Sequence, residues 1–151
     1  MTAPSDEALR LTNHLCFDLY AASRAVTKAY RPLLEPLGLT YPQYIALLVL
    51  WEHGPRTIKE LGAELQLDSG TLSPLLKRLE QAGIIRRERR ASDEREVEIS
   101  LTEQGAALRE RAEGVPMALA CKIGLDVEDF FILQRILRTL LGRLHAEEQA
   151  D

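Results

Sequence analysis

Leu11, Leu15, Leu19, Ala22, Val26, Ala29 and Leu33 recur at steps of three and four. That spacing predicts an amphipathic helix from about Asp6 to Tyr30, stopped by Pro32, Pro36 and Gly38. A second helix is expected from Thr40, with Pro42 in its first turn, to the stop at His53, Gly54 and Pro55. Ile45, Leu48, Val49 and Trp51 mark it as buried nearly all round. Ile58, Leu61 and Leu65 then read as a short helix ending at Gln66 and Leu67. Another follows, capped by Asp68 or Ser69 and carrying Leu72, Leu75, Leu76 and Leu79 as far as Gly83. Two short helices across a tight turn predict a helix-turn-helix.

After Gly83 the period changes. Ile84 to Arg90 and Glu96 to Leu101 read as two strands, the second alternating Val97, Ile99 and Leu101 with Glu96, Glu98 and Ser100. The stretch from Ala91 to Glu94 supplies the turn. One helix from Thr102 to about Cys121 and another from Asp126 to about Glu147 close the chain, the last carrying Phe130, Leu133, Leu137, Leu140, Leu141 and Leu144 on its apolar side. The expected fold is therefore mainly α with a small β wing. A winged helix-turn-helix at about 56–101 is flanked by N- and C-terminal dimerisation helices at about 6–34 and 103–148, in a single domain spanning 1–151. No internal repeat or long linker interrupts it.

With 151 residues, 46% of them hydrophobic, the chain has material for one ordinary core, which excludes a multidomain enzyme. No apolar run is long enough to span a bilayer, and Met1 to Arg10 lacks the basic start and apolar stretch of a signal peptide, so a cytoplasmic protein without membrane contact is expected. The formal net charge is -4, but its distribution matters more. From Lys77 to Arg95 seven cations (Lys77, Arg78, Arg86, Arg87, Arg89, Arg90 and Arg95) face four carboxylates, a local +3 that leaves -7 on the remainder. The positive charge thus sits on the two elements that would meet phosphate. Ser69, Thr71 and Ser73 give the second short helix a small, polar first turn able to enter a major groove, their hydroxyls toward base edges, with Lys77 and Arg78 further along. Asp93, two residues before Arg95, is spaced to hold the guanidinium extended toward a narrow minor groove. The alternative is a solvated hairpin with an incidental ion pair.

Cys16 and Cys121, separated by 104 positions, form neither a zinc knuckle nor a CxxC pair. Each is open to two readings, as a small buried hydrophobe or as a reactive thiol. Tyr20 lies one turn beyond Cys16. Tyr30, 14 residues on, is about 21 Å away along a helix axis. A hydrogen bond from Tyr30 to a Cys16 thiolate would therefore have to come from a second copy of the chain, and Tyr41 could join it. Phenolic donors lower a thiol pKa; the thiolate attacks a peroxide, and the sulfenic acid formed condenses with another thiol, here Cys121. Phe17 and Tyr20 would favour organic peroxides, or else serve as plain packing.

Residues 15–52 and 67–102 closely resemble the peroxide-sensing branch of the MarR family, the organic hydroperoxide resistance regulators. The likeness covers nearly the whole chain. The wing of Asp93, Glu94 and Arg95 is shared across MarR-type proteins; Cys16 with Tyr30 and Tyr41 is the narrower signature, and Cys121 matches the two-cysteine subclass. The resemblance implies a homodimeric repressor that binds a pseudo-palindromic double-stranded operator when reduced and releases it when organic hydroperoxide oxidises Cys16. It implies Cys16 as peroxidatic residue, Tyr30 and Tyr41 of the partner as donors, Cys121 of the partner as resolving thiol, and Arg95, braced by Asp93, as minor-groove contact.

Two rivals differ in mechanism. In one, a MarR-type crevice takes an aromatic small molecule and the cysteines are inert. In the other the chain is a thiol peroxidase, against which stand the missing thioredoxin-like βαβ pattern and the basic wing. No cofactor is called for: His14, His53 and His145 show no metal-ligand spacing with the cysteines, and Gly62, Gly70 and Gly83 make no phosphate loop.

Overall fold

The computed structural model describes residues 7–150, so the Asp6 start expected for the first helix lies outside the described residues. A 3-10 turn at Leu11–Asn13 precedes α1, Leu15–Leu34. The predicted stripe therefore begins later than expected: His14 takes an extended φ of -99° and separates the two. At its other end α1 runs through Pro32. The ladder bond forfeited there would have gone to the exposed Lys28, whose carbonyl water can serve, so a proline in the last turn costs little.

A second 3-10 turn, Glu35–Leu37, ends on Gly38 at φ 69°, and α2 (Tyr41–His53) starts from a capping box. Gln43 N–H donates to Thr40 Oγ1 at 3.4 Å and the Thr40 amide donates to Gln43 Oε1 at 2.9 Å. The residues of α2 that sink deepest are Tyr44, Ala46, Leu47 and Leu50. Ile45, Val49 and Trp51 are half-buried, and Leu48 is exposed.

The winged helix follows: β1 (Arg56–Thr57), α3 (Ile58–Leu65), α4 (Ser69–Gln81), β2 (Ile85–Arg89) and β3 (Val97–Leu101). The strands form an antiparallel sheet of order β1-β3-β2, with Arg56 opposite Ile99 and Ile85 opposite Leu101. The two-residue β1 escaped the sequence reading because no period can show in so short a run. Leu47, Leu50, Leu61, Leu72, Leu76, Leu79, Ile85 and Ile99 are essentially inaccessible and form the shared core. Each contributes about 1.5–3 kcal/mol by leaving water, which is what fixes the winged helix on α2.

Where one helix was expected from Thr102 to Cys121, two occur: α5 (Glu103–Ala112) and α6 (Val115–Ile123). Pro116 could not donate within a continuous helix but is tolerated in the first turn of a new one, and Gly114 eases the break. Finally α7, Val127–Glu148, is capped by Asp126, whose Oδ1 accepts from the Asp129 amide at 2.8 Å. The chain divides into two compact units, the first ending at Pro116 and the second beginning at Met117. No single described helix is long and apolar enough to cross a membrane.

Candidate functional site

The helix-turn-helix is set by local chemistry at each end of its turn. Thr57 and Glu60 form a second capping box at the start of α3: Glu60 N–H donates to Thr57 Oγ1 at 3.1 Å, the Thr57 amide to Glu60 Oε2 at 2.8 Å, and this second bond holds the Glu60 carboxyl below its ordinary range. α3 closes on Gln66 in the left-handed region, φ 54°. The turn then doubles back so tightly that a Cβ on Gly62 would stand 2.9 Å from the Leu67 carbonyl oxygen. Of the two capping candidates the structure selects Asp68, whose Oδ1 accepts from the Thr71 amide at 2.7 Å. That backbone bond also pulls the Asp68 carboxyl below the usual carboxylate range.

Capped this way, α4 leaves Ser69, Thr71, Ser73, Lys77 and Arg78 exposed outside the stripe of its buried leucines. A hollow of about 710 Å³ lies between α3, α4 and the tip end of the wing, and Lys59, Ser69, Ser73 and Arg95 share its lining. Arg89 is exposed and Arg87 half-buried on β2. Two expectations for the wing need correction. Asp93 does not brace the Arg95 guanidinium: its Oδ1 accepts from the Arg95 backbone N–H at 3.0 Å, and among the described residues no carboxylate pairs with that guanidinium. A carboxylate two residues upstream reaches the amide first, in the manner of an Asx turn. Nor is Arg90 an unengaged cation. Its Nε meets Glu98 at 3.0 Å and its Nη1 meets Glu96 at 3.2 Å. Glu88 and Glu98 lie directly opposite in the register, and Arg90 offsets that like-charge contact.

Cys16 is the second residue of α1 and Cys121 lies on α6; both are free and exposed. α1 is one continuous helix, so Cys16 and Tyr30 stay about 21 Å apart along it. Tyr30 and Tyr41, by contrast, do meet: their ring centroids are 4.6 Å apart across the α1–α2 corner. Tyr44, which sequence reasoning passed over, stands 5.7 Å from Tyr30. Burial first, and then the neighbouring phenols of Tyr41 and Tyr44, push the Tyr30 hydroxyl up to about 12. Burial also raises Tyr41 and Tyr44. All three phenols therefore remain protonated donors at neutral pH. Beside them a trough of about 780 Å³ is lined by Phe17, Tyr20 and Tyr41 together with Arg24, Lys28 and Arg31. Tyr20 and Arg24 stack within it, the guanidinium carbon 5.4 Å from the ring centre.

Residues 28–111 match the model of the transcriptional regulator SarA/Rot family. The chain is 53% identical over 91% of its length to the organic hydroperoxide resistance transcriptional regulator of Bacillus subtilis (strain 168), 93% of which is covered. Among solved structures it is similar to reduced AbfR bound to DNA (39% identity, TM-score 0.75, 93% of this chain and 98% of that one). It is similar also to disulfide-formed AbfR (40% identity, TM-score 0.63, 91% and 96%); AbfR is a protein of Staphylococcus epidermidis. A winged helix-turn-helix with a polar recognition helix, matched over nine-tenths of its length by DNA-binding regulators, places the chain in the MarR-type transcriptional regulators, in the family of the organic hydroperoxide resistance regulators.

Proposed function

We propose that the protein is a redox-sensing repressor that works in the cytoplasm as a single-domain homodimer, binding a pseudo-palindromic operator when reduced and letting go when an organic hydroperoxide oxidises Cys16. The observation that carries the reading is the packed Tyr30–Tyr41 pair, two phenols held in their acid form in a chain whose Cys16 thiol is exposed. Supplied by a partner subunit, such donors stabilise a Cys16 thiolate. The thiolate takes the terminal oxygen of ROOH, giving the sulfenic acid, and the alkoxide leaves as ROH after protonation. The sulfenic acid then condenses with the partner's Cys121 thiol, releasing water and leaving an intersubunit disulfide. Phe17 and Tyr20, lining the trough, would seat the organic group R.

A second copy is the natural cover for Leu15 and Tyr20 on α1, 65% and 62% exposed, and, within the second unit, for Phe131 and Ile136 on α7, 59% and 51% exposed. On DNA, Ser69, Thr71 and Ser73 would touch base edges, Lys77, Arg78, Arg87 and Arg89 phosphates, and Arg95 the minor groove. A second reading rests on the cations of the trough, which suit an aromatic anion as releasing ligand with both cysteines inert.

The test is operator binding at fixed salt before and after one equivalent of an organic hydroperoxide, followed by a dithiol reductant. Release that the reductant reverses is expected; unchanged binding would overturn the proposal. On a non-reducing gel the oxidised protein should run as a covalent dimer that Cys121→Ser abolishes, and a dimer that persists in that variant would sink the pairing.

Asp68 gives a pH prediction. Its carboxyl titrates below the ordinary value in the folded chain, so the cap is complete above that ordinary value and is lost as pH falls through the lowered one. Asp68→Asn, which still caps, should keep operator affinity and lose its acid dependence. Asp68→Ala should weaken binding about three- to tenfold at neutral pH. Both are read by anisotropy of a labelled operator duplex.

A further inference from the structure

The aromatic side chains of α1 and α2 form a continuous column in the first unit. Tyr41 packs on Tyr30 at 4.6 Å, Tyr30 on Tyr44 at 5.7 Å, and Tyr44 edge-on against Trp51 at 6.3 Å between ring centres. Tyr44 is 2% exposed, so the column runs through the core. It ends on a hydrogen bond: the Trp51 indole Nε1–H donates to the Gly105 carbonyl of α5 at 3.0 Å, joining residues 54 apart in sequence.

Gly105 is no ordinary helical position. A Cβ there would collide with the Ile84 carbonyl oxygen, so α5 lies directly on the chain where α4 ends and the wing begins. The Thr102 hydroxyl donates to the carbonyls of Gly83 and Ile84 and accepts from the Gly105 amide. The Thr102 amide also donates to the Ile84 carbonyl, at 3.1 Å. The far end of the recognition helix, the root of the wing and the start of α5 thus meet in one hydrogen-bonded knot, and the side chain that ties this knot to the phenol cluster is Trp51.

We infer that Trp51 is a positioning residue of the switch: it converts displacement of the Tyr30–Tyr41 pair into displacement of the Gly83–Ile84 joint, and so of α4 and the wing. The inference rests on the redox reading above. Its physical basis is that close-packed rings cannot yield singly. When one phenol changes partner, the neighbouring ring must follow or leave a void. At the end of the column a directional bond, rather than a sliding apolar contact, passes the shift to backbone.

Trp51 is the single tryptophan of the chain, so its emission reports on this joint alone. With tert-butyl hydroperoxide, the wild-type emission should change at the rate at which the Cys16 thiol is lost, and Cys16→Ser should show no change. Trp51→Phe keeps a ring and deletes the N–H. It should lose its Cys16 thiol at the wild-type rate and bind operator, when reduced, within about threefold of wild type, while the ratio of reduced to oxidised affinity falls at least about fivefold. Tyr44→Phe, which keeps the ring contacts, should retain the full ratio and Tyr44→Leu should not. If wild type keeps its operator after Cys16 is consumed, the redox reading falls and the inference with it. If wild type releases but its Trp51 emission is unmoved, or Trp51→Phe releases by the wild-type factor, the inference alone is overturned.

Discussion

In Cys16→Ser protein an organic hydroperoxide should leave operator affinity unchanged, while the wild-type affinity falls by about 5- to 150-fold, the range in which one bound or covalent event biases a two-state protein. The serine hydroxyl occupies nearly the same volume on an exposed helical turn, so neither the fold nor reduced binding should change. What it removes is the sulfur: phenolic donors can stabilise a thiolate, whereas a serine hydroxyl neither ionises near neutral pH nor takes an oxygen from a peroxide. The comparison is made by anisotropy at fixed salt, because phosphate contacts make affinity fall steeply with ionic strength. A Cys16→Ser protein that still releases DNA under peroxide would assign the response to another group. One that ignores peroxide but releases DNA to an aromatic carboxylate would favour the trough as a ligand site.

The reader was legible in the sequence because its signals are local. Asp68, Gly83 and the leucines at 72, 75, 76 and 79 declare α4 by themselves, and the alternation of Val97, Ile99 and Leu101 declares β3. The thiol and phenol residues were legible as types at informative spacings. Less legible was anything decided by tertiary contact. Asp93 and Arg95 are adjacent enough in sequence to suggest an ion pair, and only the turn geometry shows the backbone amide taking the carboxylate. Arg90 read as one more phosphate contact until the register brought Glu96 and Glu98 within reach. Tyr44 carried no signal of its own in the sequence, and Trp51 read only as one of the buried positions of α2; the partners that matter are 14 and 54 residues away. The break at Gly114 and Pro116, by contrast, was written in the sequence, and the apolar period on both sides concealed it.

Charge and packing divide the labour in the wing. Arg90, held by two carboxylates, keeps the strand ends paired, which leaves Arg89 and Arg95 as the exposed cations at the tip. On the proposed reading, an acidic body with a basic wing would orient the molecule before contact, so that α4 arrives facing the duplex. Positioning would then fall to the root of the wing, against which Gly105 of α5 packs.

Replacing Gly105 by alanine should destabilise the protein by about 3 kcal/mol, lowering its melting temperature by about 6–12 °C for a chain of this size. The new methyl would overlap the Ile84 carbonyl oxygen and stand 3.1 Å from its carbonyl carbon and 3.2 Å from Leu101 Cδ2. The first two are backbone, so no rotamer change relieves the overlap. Alanine is the better helix former by about 1 kcal/mol, too little to offset a displaced backbone. To make room α5 must move off the wing root, and that strains the Thr102 bonds to Gly83 and Ile84 together with the Trp51 bond to the Gly105 carbonyl. Gly114→Ala is the control: a Cβ there meets nothing within 4 Å, so the melting temperature should hold steady or rise slightly. Thermal denaturation of both variants decides the matter. If Gly105→Ala melts with wild type, α5 is not seated on the wing root, and the joint between sensor and reader must lie elsewhere.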